Sequence, residues 1–261
     1  MFPVLFSHGS IHFYTYGFSL FVALMAIYFL ARRAVAGSIL SHDNIDDLML
    51  IIISSLWLGG GLVHLTLSAL SGKTDWRGLF DLATMQQFSV FPVALAATLG
   101  MAVWCRWKRI PFVGVLDFLI PFLTLGYGLH RILGCFNAGC CYGLPTTLPW
   151  GVVFSPNPFL SDTPTGIRLH PTQIYLGLSA WLTGWSIHHF RNDLRDSGAR
   201  TAVGLAGLSG SYFLIAFLRG DYSHHPGDHG FDMPRILPLI VCLAAVAWLV
   251  KLRHGRQGNR I

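Results

Sequence analysis

Seven apolar runs divide the chain, at about 15–31, 48–70, 82–105, 110–129, 171–187, 201–218 and 236–250, separated by shorter polar stretches except for one long interval between the fourth and fifth. A helix needs roughly 20 apolar residues to cross a bilayer core, so each run predicts a membrane span. Strands of a membrane β-barrel would alternate apolar and polar positions over segments of about 10 residues. Leu48 to Ile53 (LMLIII) and Leu239 to Val246 (LIVCLAAV) do not alternate. The expected fold class is therefore all-α, a polytopic membrane protein of about seven transmembrane helices forming one integral-membrane domain over 1–261.

Composition supports lipid as the solvent. Over 261 residues the chain is 53% hydrophobic and only 11% charged, with a mean hydropathy of +0.54, too few charges for a conventional soluble surface. Orientation follows from the basic residues, which are retained on the cytoplasmic side. Alternate connections hold Arg32 and Arg33; Arg106, Lys108 and Arg109; Arg191, Arg195 and Arg200; and Lys251, Arg253, Arg256 and Arg260, twelve of the eighteen Lys and Arg. The opposite side has Lys73, Arg77, Arg131, Arg168, Arg219 and Arg235, with none before the first run. This pattern predicts the amino terminus outside and the carboxyl terminus in the cytoplasm. The net charge of +6 thus sits at membrane flanks, where it orients the protein and meets anionic lipid heads, and nucleic acid is not an expected partner. The first 14 residues carry no Lys or Arg, so they lack the basic region of a cleavable signal peptide.

The one long extramembrane segment, about 131–170, is expected to form an extracytoplasmic loop or cap. It opens with His130, Arg131, Gly134, Cys135, Asn137, Gly139, Cys140, Cys141, Tyr142 and Gly143, and leads into His170, Pro171, Thr172, Gln173, Ile174 and Tyr175. Arginine grips phosphate through a planar fork, Asn137 and Gln173 can orient oxygen-rich ligands, and the glycines permit close backbone approach. These residue types suit a lipid headgroup site. They equally suit a folded cap in which the glycines make turns and Pro171 starts a helix.

Cys135, Cys140 and Cys141 add a disulfide or thiol-redox reading, since an oxidising exterior permits disulfides; the spacing does not choose a pair and lacks the paired pattern of a four-cysteine zinc site. Cys105 and Cys242 read as apolar fillers. Residues 221–232 hold three His and three Asp, which could ligate a metal or simply form a solvated turn. No metal centre and no cofactor is assigned. Asp117, a charge inside an apolar run, invites a functional role or a place at the cytoplasmic interface.

Taken together, these segments resemble the prolipoprotein diacylglyceryl transferase family. His12 to Gly17 resembles the family's aromatic entrance to helix one, Ala31 to Ala34 the exit, and Leu58 to Gly61 its glycine motif. Asp117, Phe118 and Pro121 are similar to the helix-four opening, Arg131 to Gly143 to the diagnostic loop, His170 to Tyr175 to a His-Pro-Ser/Thr-Gln-Leu-Tyr motif, and Phe213 to Asp221 to the penultimate helix. The resemblance implies a bacterial inner-membrane transferase whose partners are phosphatidylglycerol, lipoprotein signal peptides and membrane lipids. It implies Arg131 on the lipid phosphate, Tyr16, Asn137 and Gly143 lining the site, and Gln173 and Tyr175 bracing it. His130 and His170 are the candidates for the proton acceptor, each against a structural role, and Arg219, following the penultimate helix on the outer side, is placed to meet lipid phosphate or to snorkel at the interface.

The chain also departs from that pattern. Phe91 to Ala94 stands where the family has Phe-His-Gly-Gly, Tyr212 and Ala216 where it has an Arg and a Glu, and Cys135 and Cys140 where it has Asn and Glu. Two residues separate Arg131 from Gly134 where the family has one. The alternative is a divergent lipid-binding, thiol-redox or metal-binding membrane protein on the same fold. Oligomeric state is left open.

Overall fold

The computed structural model describes residues 2–8, 11–70, 90–156, 163–221 and 233–258. Among them the fold is mostly helical. Seven long helices occur, α1 (Thr15–Arg33), α2 (His42–Leu70), α3 (Val90–Lys108), α4 (Phe112–His130), α6 (Thr172–His189), α7 (Ala199–Ala216) and α8 (Met233–Gly258), with a one-turn α5 (Phe136–Ala138) after α4. Each long helix coincides with one of the apolar runs; residues 82–89 of the third run lie outside the described residues, as do Lys73, Arg77 and Arg260. Thr15–Arg33, Phe112–Ala138 and Arg235–Gly255 are long and apolar enough to cross a membrane. On α6 and α7, Thr172, Gln173, Thr183 and Thr201 are buried, polar groups of the kind that join membrane helices.

Two compact units make up the chain, Ala31–Val115 and the combination of Met1–Leu30 with Leu116–Ile261. In the first, α2 packs on α3, and Asp47 accepts hydrogen bonds from Trp104 Nε1 at 3.1 Å and Lys108 Nζ at 3.0 Å. In the second, α6 packs on α7 and α7 on α8. Helices α4 and α6 meet at Gly128 and Gly177. A Cβ added to Gly128 would lie 2.8 Å from the Gly177 carbonyl oxygen, and one added to Gly177 would lie 3.0 Å from that of Gly128, so larger residues would force the helices apart. The crossing fixes where the end of α4 faces the start of α6.

The distribution of side chains is inverted relative to a soluble protein. Phe21, Phe29, Trp107, Leu182, Leu214 and Leu243 are exposed, while Ser19, Thr124, Arg131, Gln173, Thr201 and Arg219 are buried. Two small hairpins accompany the helices. β1 (Val4–His8) pairs antiparallel with β2 (Ile11–Tyr14) just before α1, and β3 (Val152–Val153) pairs with β4 (Arg168–Leu169). The apolar runs did not reveal either one.

Asp117 is part of the helix packing. One carboxylate oxygen accepts from the Gly198 backbone N–H at 2.6 Å, and the other from the Thr201 N–H at 2.8 Å and the Thr201 hydroxyl at 2.6 Å. The carboxylate on α4 therefore caps the N-terminus of α7, where free N–H groups and the helix dipole favour negative charge. Asp117→Ala would strand these donors and is expected to destabilise the fold by about 1–3 kcal/mol. Thermal unfolding of the purified protein in detergent checks this, and a midpoint equal to the parent's would refute the capping role.

Candidate active site

Arg131 begins a π-helical turn, Arg131–Cys135, which continues α4 into α5 and buries Arg131, Gly134 and Cys135. A π turn inserts a residue into the helical register, and the four-residue spacing of Arg131 and Cys135 keeps the guanidinium and the thiol on the same side. The helical path ends at Gly139, whose φ of 76° forms a left-handed cap. Thus the first part of the expected 131–170 loop is helical, and the irregular chain begins beyond it.

The Arg131 guanidinium packs over the Tyr127 ring, 5.0 Å from its centroid. Its Nη1 lies 3.2 Å from Cys141 Sγ and 3.8 Å from Cys135 Sγ, while Nε is buried without a hydrogen-bond partner among the described residues. Tyr127 precedes Arg131 by four residues, the spacing that places two helical side chains together. That spacing was the signal available for this partner.

Cys141 is held in an uncommon conformation, φ 59°, which costs a non-glycine residue about 1–2 kcal/mol. Neighbouring chain secures it: the Thr172 hydroxyl donates to the Cys141 carbonyl and Gln173 Nε2 donates to the Cys140 carbonyl at 2.7 Å. Both donors come from the first turn of α6. Gln173 therefore braces the cysteine loop through its amide nitrogen, while its buried Oε1 has no partner among the described residues.

Backbone pairing completes the enclosure. Gly143 N–H donates to the His170 carbonyl at 3.1 Å and His170 N–H to Leu144 at 3.0 Å. On the other side Leu144 N–H donates to Leu218 at 2.8 Å and Gly220 N–H to Tyr142 at 2.9 Å. This ladder brings the exit of α7 to the cysteine loop. Arg219 there is buried, donating Nη1 to the Tyr212 hydroxyl at 2.9 Å and Nε to Asp221 at 2.9 Å. It is thus an enclosed ion pair, not a side chain stretched toward water. Tyr212, where the family pattern has arginine, is one of its supports.

Thiol hydrogen bonds with Cys135 and Cys140, followed by the charges of Arg131 and Arg219, hold the Cys141 thiol well below its ordinary value despite the opposing effect of burial. The five cysteines are all thiols in this structure. Cys135, Cys140 and Cys141 are close enough to hydrogen-bond one another.

His130 is oriented by Ser19. The Ser19 hydroxyl donates its one proton to the Tyr16 carbonyl at 2.8 Å, so toward His130 Nδ1, 2.9 Å away, it is an acceptor. This places the imidazole proton on Nδ1 and leaves the Nε2 lone pair 3.9 Å from Cys135 Sγ. The Tyr16 ring packs edge-on against the same imidazole, with centroids 4.7 Å apart. His130 and Tyr16 therefore join the Arg131 cluster.

Other candidates are placed differently. His170 Nδ1 lies 3.3 Å from the Tyr175 hydroxyl, which accepts a hydrogen bond from Trp150 Nε1 at 2.8 Å. Asn137 donates to the Leu133 carbonyl at 2.8 Å and accepts from the Phe2 backbone N–H at 3.3 Å. Residues 222–232, with their His and Asp, lie outside the described residues.

The inverted side-chain distribution, with a buried arginine and thiol cluster at a helix end, defines the class: a helical membrane protein with a polar site built into its helix termini. The family model for prolipoprotein diacylglyceryl transferase matches residues 3–251, and the chain belongs to that family. It is 29% identical over 219 residues to the phosphatidylglycerol–prolipoprotein diacylglyceryl transferase of Clostridium tetani (strain Massachusetts / E88), covering 84% of this chain and 86% of that one. The protein of the same name from Vibrio vulnificus (strain YJ016) is 30% identical over 271 residues, covering 97% and 93%.

Two consequences can be tested. A Cβ on Gly143 would lie 2.5 Å from the His170 carbonyl oxygen and 3.0 Å from its Cα, so Gly143→Ala is expected to cost about 1–3 kcal/mol in detergent unfolding; an unchanged midpoint would contradict the close packing. A lowered pKa keeps Cys141 as thiolate when pH falls. Its iodoacetamide alkylation rate should fall less steeply from about pH 8 to about pH 6 than that of an ordinary thiol, which slows about tenfold per unit. An ordinary profile would disprove the charge assignment.

Proposed function

We propose that this chain is a phosphatidylglycerol–prolipoprotein diacylglyceryl transferase, acting on phosphatidylglycerol and the signal peptides of lipoprotein precursors. The observation that carries the reading is Arg131, a guanidinium buried at the end of a membrane-length helix with an unpartnered Nε, in a chain matched to the family over residues 3–251. The same reading includes a single integral-membrane domain over 1–261 with seven spans, the amino terminus outside, the carboxyl terminus in the cytoplasm and the 131–170 segment on the outer face of a bacterial inner membrane. The seven long helices and the bias of twelve basic residues to one set of connections support that topology.

The reaction joins the sulfur of the precursor's cysteine to a glycerol carbon and breaks that carbon's bond to the phosphate oxygen. The leaving group is glycerol phosphate. Charge grows on its oxygen as the bond breaks, so fixed cationic donors accelerate departure. Arg131 holds the phosphate and Arg219 adds positive potential beside it. His130 Nε2 takes the thiol proton, with Ser19 fixing the tautomer and Tyr16 closing the ring face. Gln173 and Gly143 hold the loop, while His170 and Tyr175 brace its outer edge and Asn137 secures the turn to the amino terminus.

Purified protein in phosphatidylglycerol-containing detergent micelles, assayed without reductant, is expected to transfer radiolabelled diacylglyceryl to a lipoprotein signal peptide. Arg131→Ala should lower the rate by at least about a hundredfold. Product formation by the parent that is indifferent to Arg131 would remove this assignment, and absence of product despite lipid binding would remove the transferase reading.

A further inference from the structure

We propose that Cys141 and Cys135 form a reversible disulfide that controls access of lipid phosphate to Arg131, with the oxidised protein as the form that binds lipid better. This rests on the reading of Arg131 as the phosphate-holding group. In the structure, both sulfurs approach the same guanidinium nitrogen, Cys141 at 3.2 Å and Cys135 at 3.8 Å. Cys141 also feels the charge of Arg219. A sulfur carrying negative charge there occupies the place that an incoming phosphate needs, and the reduced site is self-inhibited.

Geometry selects the pair. Cys135 and Cys141 share Arg131 Nη1, whereas Cys140 Sγ is directed to the Cys135 carbonyl at 3.7 Å. Cys141 is half-buried and Cys135 is buried, so of these two Cys141 is the sulfur that an external oxidant reaches first. The oxidant required is a small or protein disulfide. Cys141 thiolate attacks one of its sulfurs, forming a mixed disulfide and releasing the first thiolate. Cys135 then loses its proton to His130 Nε2, 3.9 Å away, and attacks the Cys141 sulfur, releasing the second thiolate. The Cys141 thiolate and the Cys135 thiol together lose two electrons and one proton; the external disulfide takes the two electrons and leaves as two thiolates, one of which takes up the proton from His130.

Once linked, neither sulfur carries a charge. A disulfide sulfur is a much weaker acceptor than a thiolate, so Nη1 joins the already unpartnered Nε in facing an incoming anion. The negative charge between Arg131 and Arg219 also disappears. An extracytoplasmic position, part of the proposed topology, would favour the oxidised state.

The test equilibrates the full-length protein, in neutral detergent, with reduced or oxidised glutathione and measures binding of fluorescent phosphatidylglycerol. Oxidation should give a peptide linking Cys135 to Cys141 by mass spectrometry and tighten binding about tenfold, the loss of one competing charge-assisted contact. Cys141→Ser, which removes the anionic sulfur, should bind like the oxidised parent in both buffers. Equal affinity or no binding in both states, a linkage that excludes Cys141, or a Cys141→Ser protein that still responds to glutathione would each overturn the proposal. Redox-dependent binding without any diacylglyceryl transfer would count against the transferase reading alone.

Discussion

A guanidinium removed from water has to be surrounded by groups that replace its hydration, because an isolated buried charge costs several kcal/mol even after relaxation. Arg131 finds these groups in an unusual set: the Tyr127 ring from the preceding turn and the sulfurs of Cys135 and Cys141. Much of the surrounding backbone follows from that requirement. The helical turn from 131 to 135 sets Cys135 beside Arg131, the left-handed residues at 139 and 141 reverse the chain, and Thr172 and Gln173 hold the reversed carbonyls. The ladder through residues 142–146 joins this loop to the start of α6 and the exit of α7.

The same rule governs polar groups throughout the second unit. In lipid a stranded donor has no water to turn to, so hydroxyls such as those of Thr124 and Thr183 donate to carbonyls of their own helices, and longer polar side chains reach across an interface. Asp117 serves the N-terminus of α7, and Trp181 Nε1 donates to the Leu125 carbonyl at 3.1 Å. These bonds join α4 to α6 and α7, the three helices whose ends carry the site. Glycines at the α4–α6 crossing serve the complementary purpose by letting the backbones approach.

Departures from the family pattern acquire different meanings in the folded chain. Tyr212 supports Arg219 through its hydroxyl, so a polar contact persists at that level of α7 although the residue type differs. Cys135 lies in contact distance of both His130 and Arg131, which places a sulfur in the centre of the site. The tyrosine and thiol substitutions therefore alter how the arginines are balanced and leave the site polar.

Hydropathy along the sequence determined the helices, because burial in lipid is a local requirement that every apolar run must meet on its own. Residue types, and not hydropathy, marked residues 130–143 and 170–175 as the chemical part of the chain, and among them His130, Arg131, Cys135, Cys141 and Gln173 lie together in the structure. What only the tertiary structure decided is which of them meet. Ser19 and His130 are 111 residues apart and Asp117 and Thr201 are 84 apart, distances at which no periodicity operates. The tautomer of His130, the capping role of Asp117 and the position of Cys141 between two arginines all arise from such long-range packing. The amino-terminal hairpin was hidden for a related reason: its pairing is a relation between two short segments, and neither carries a distinctive pattern alone.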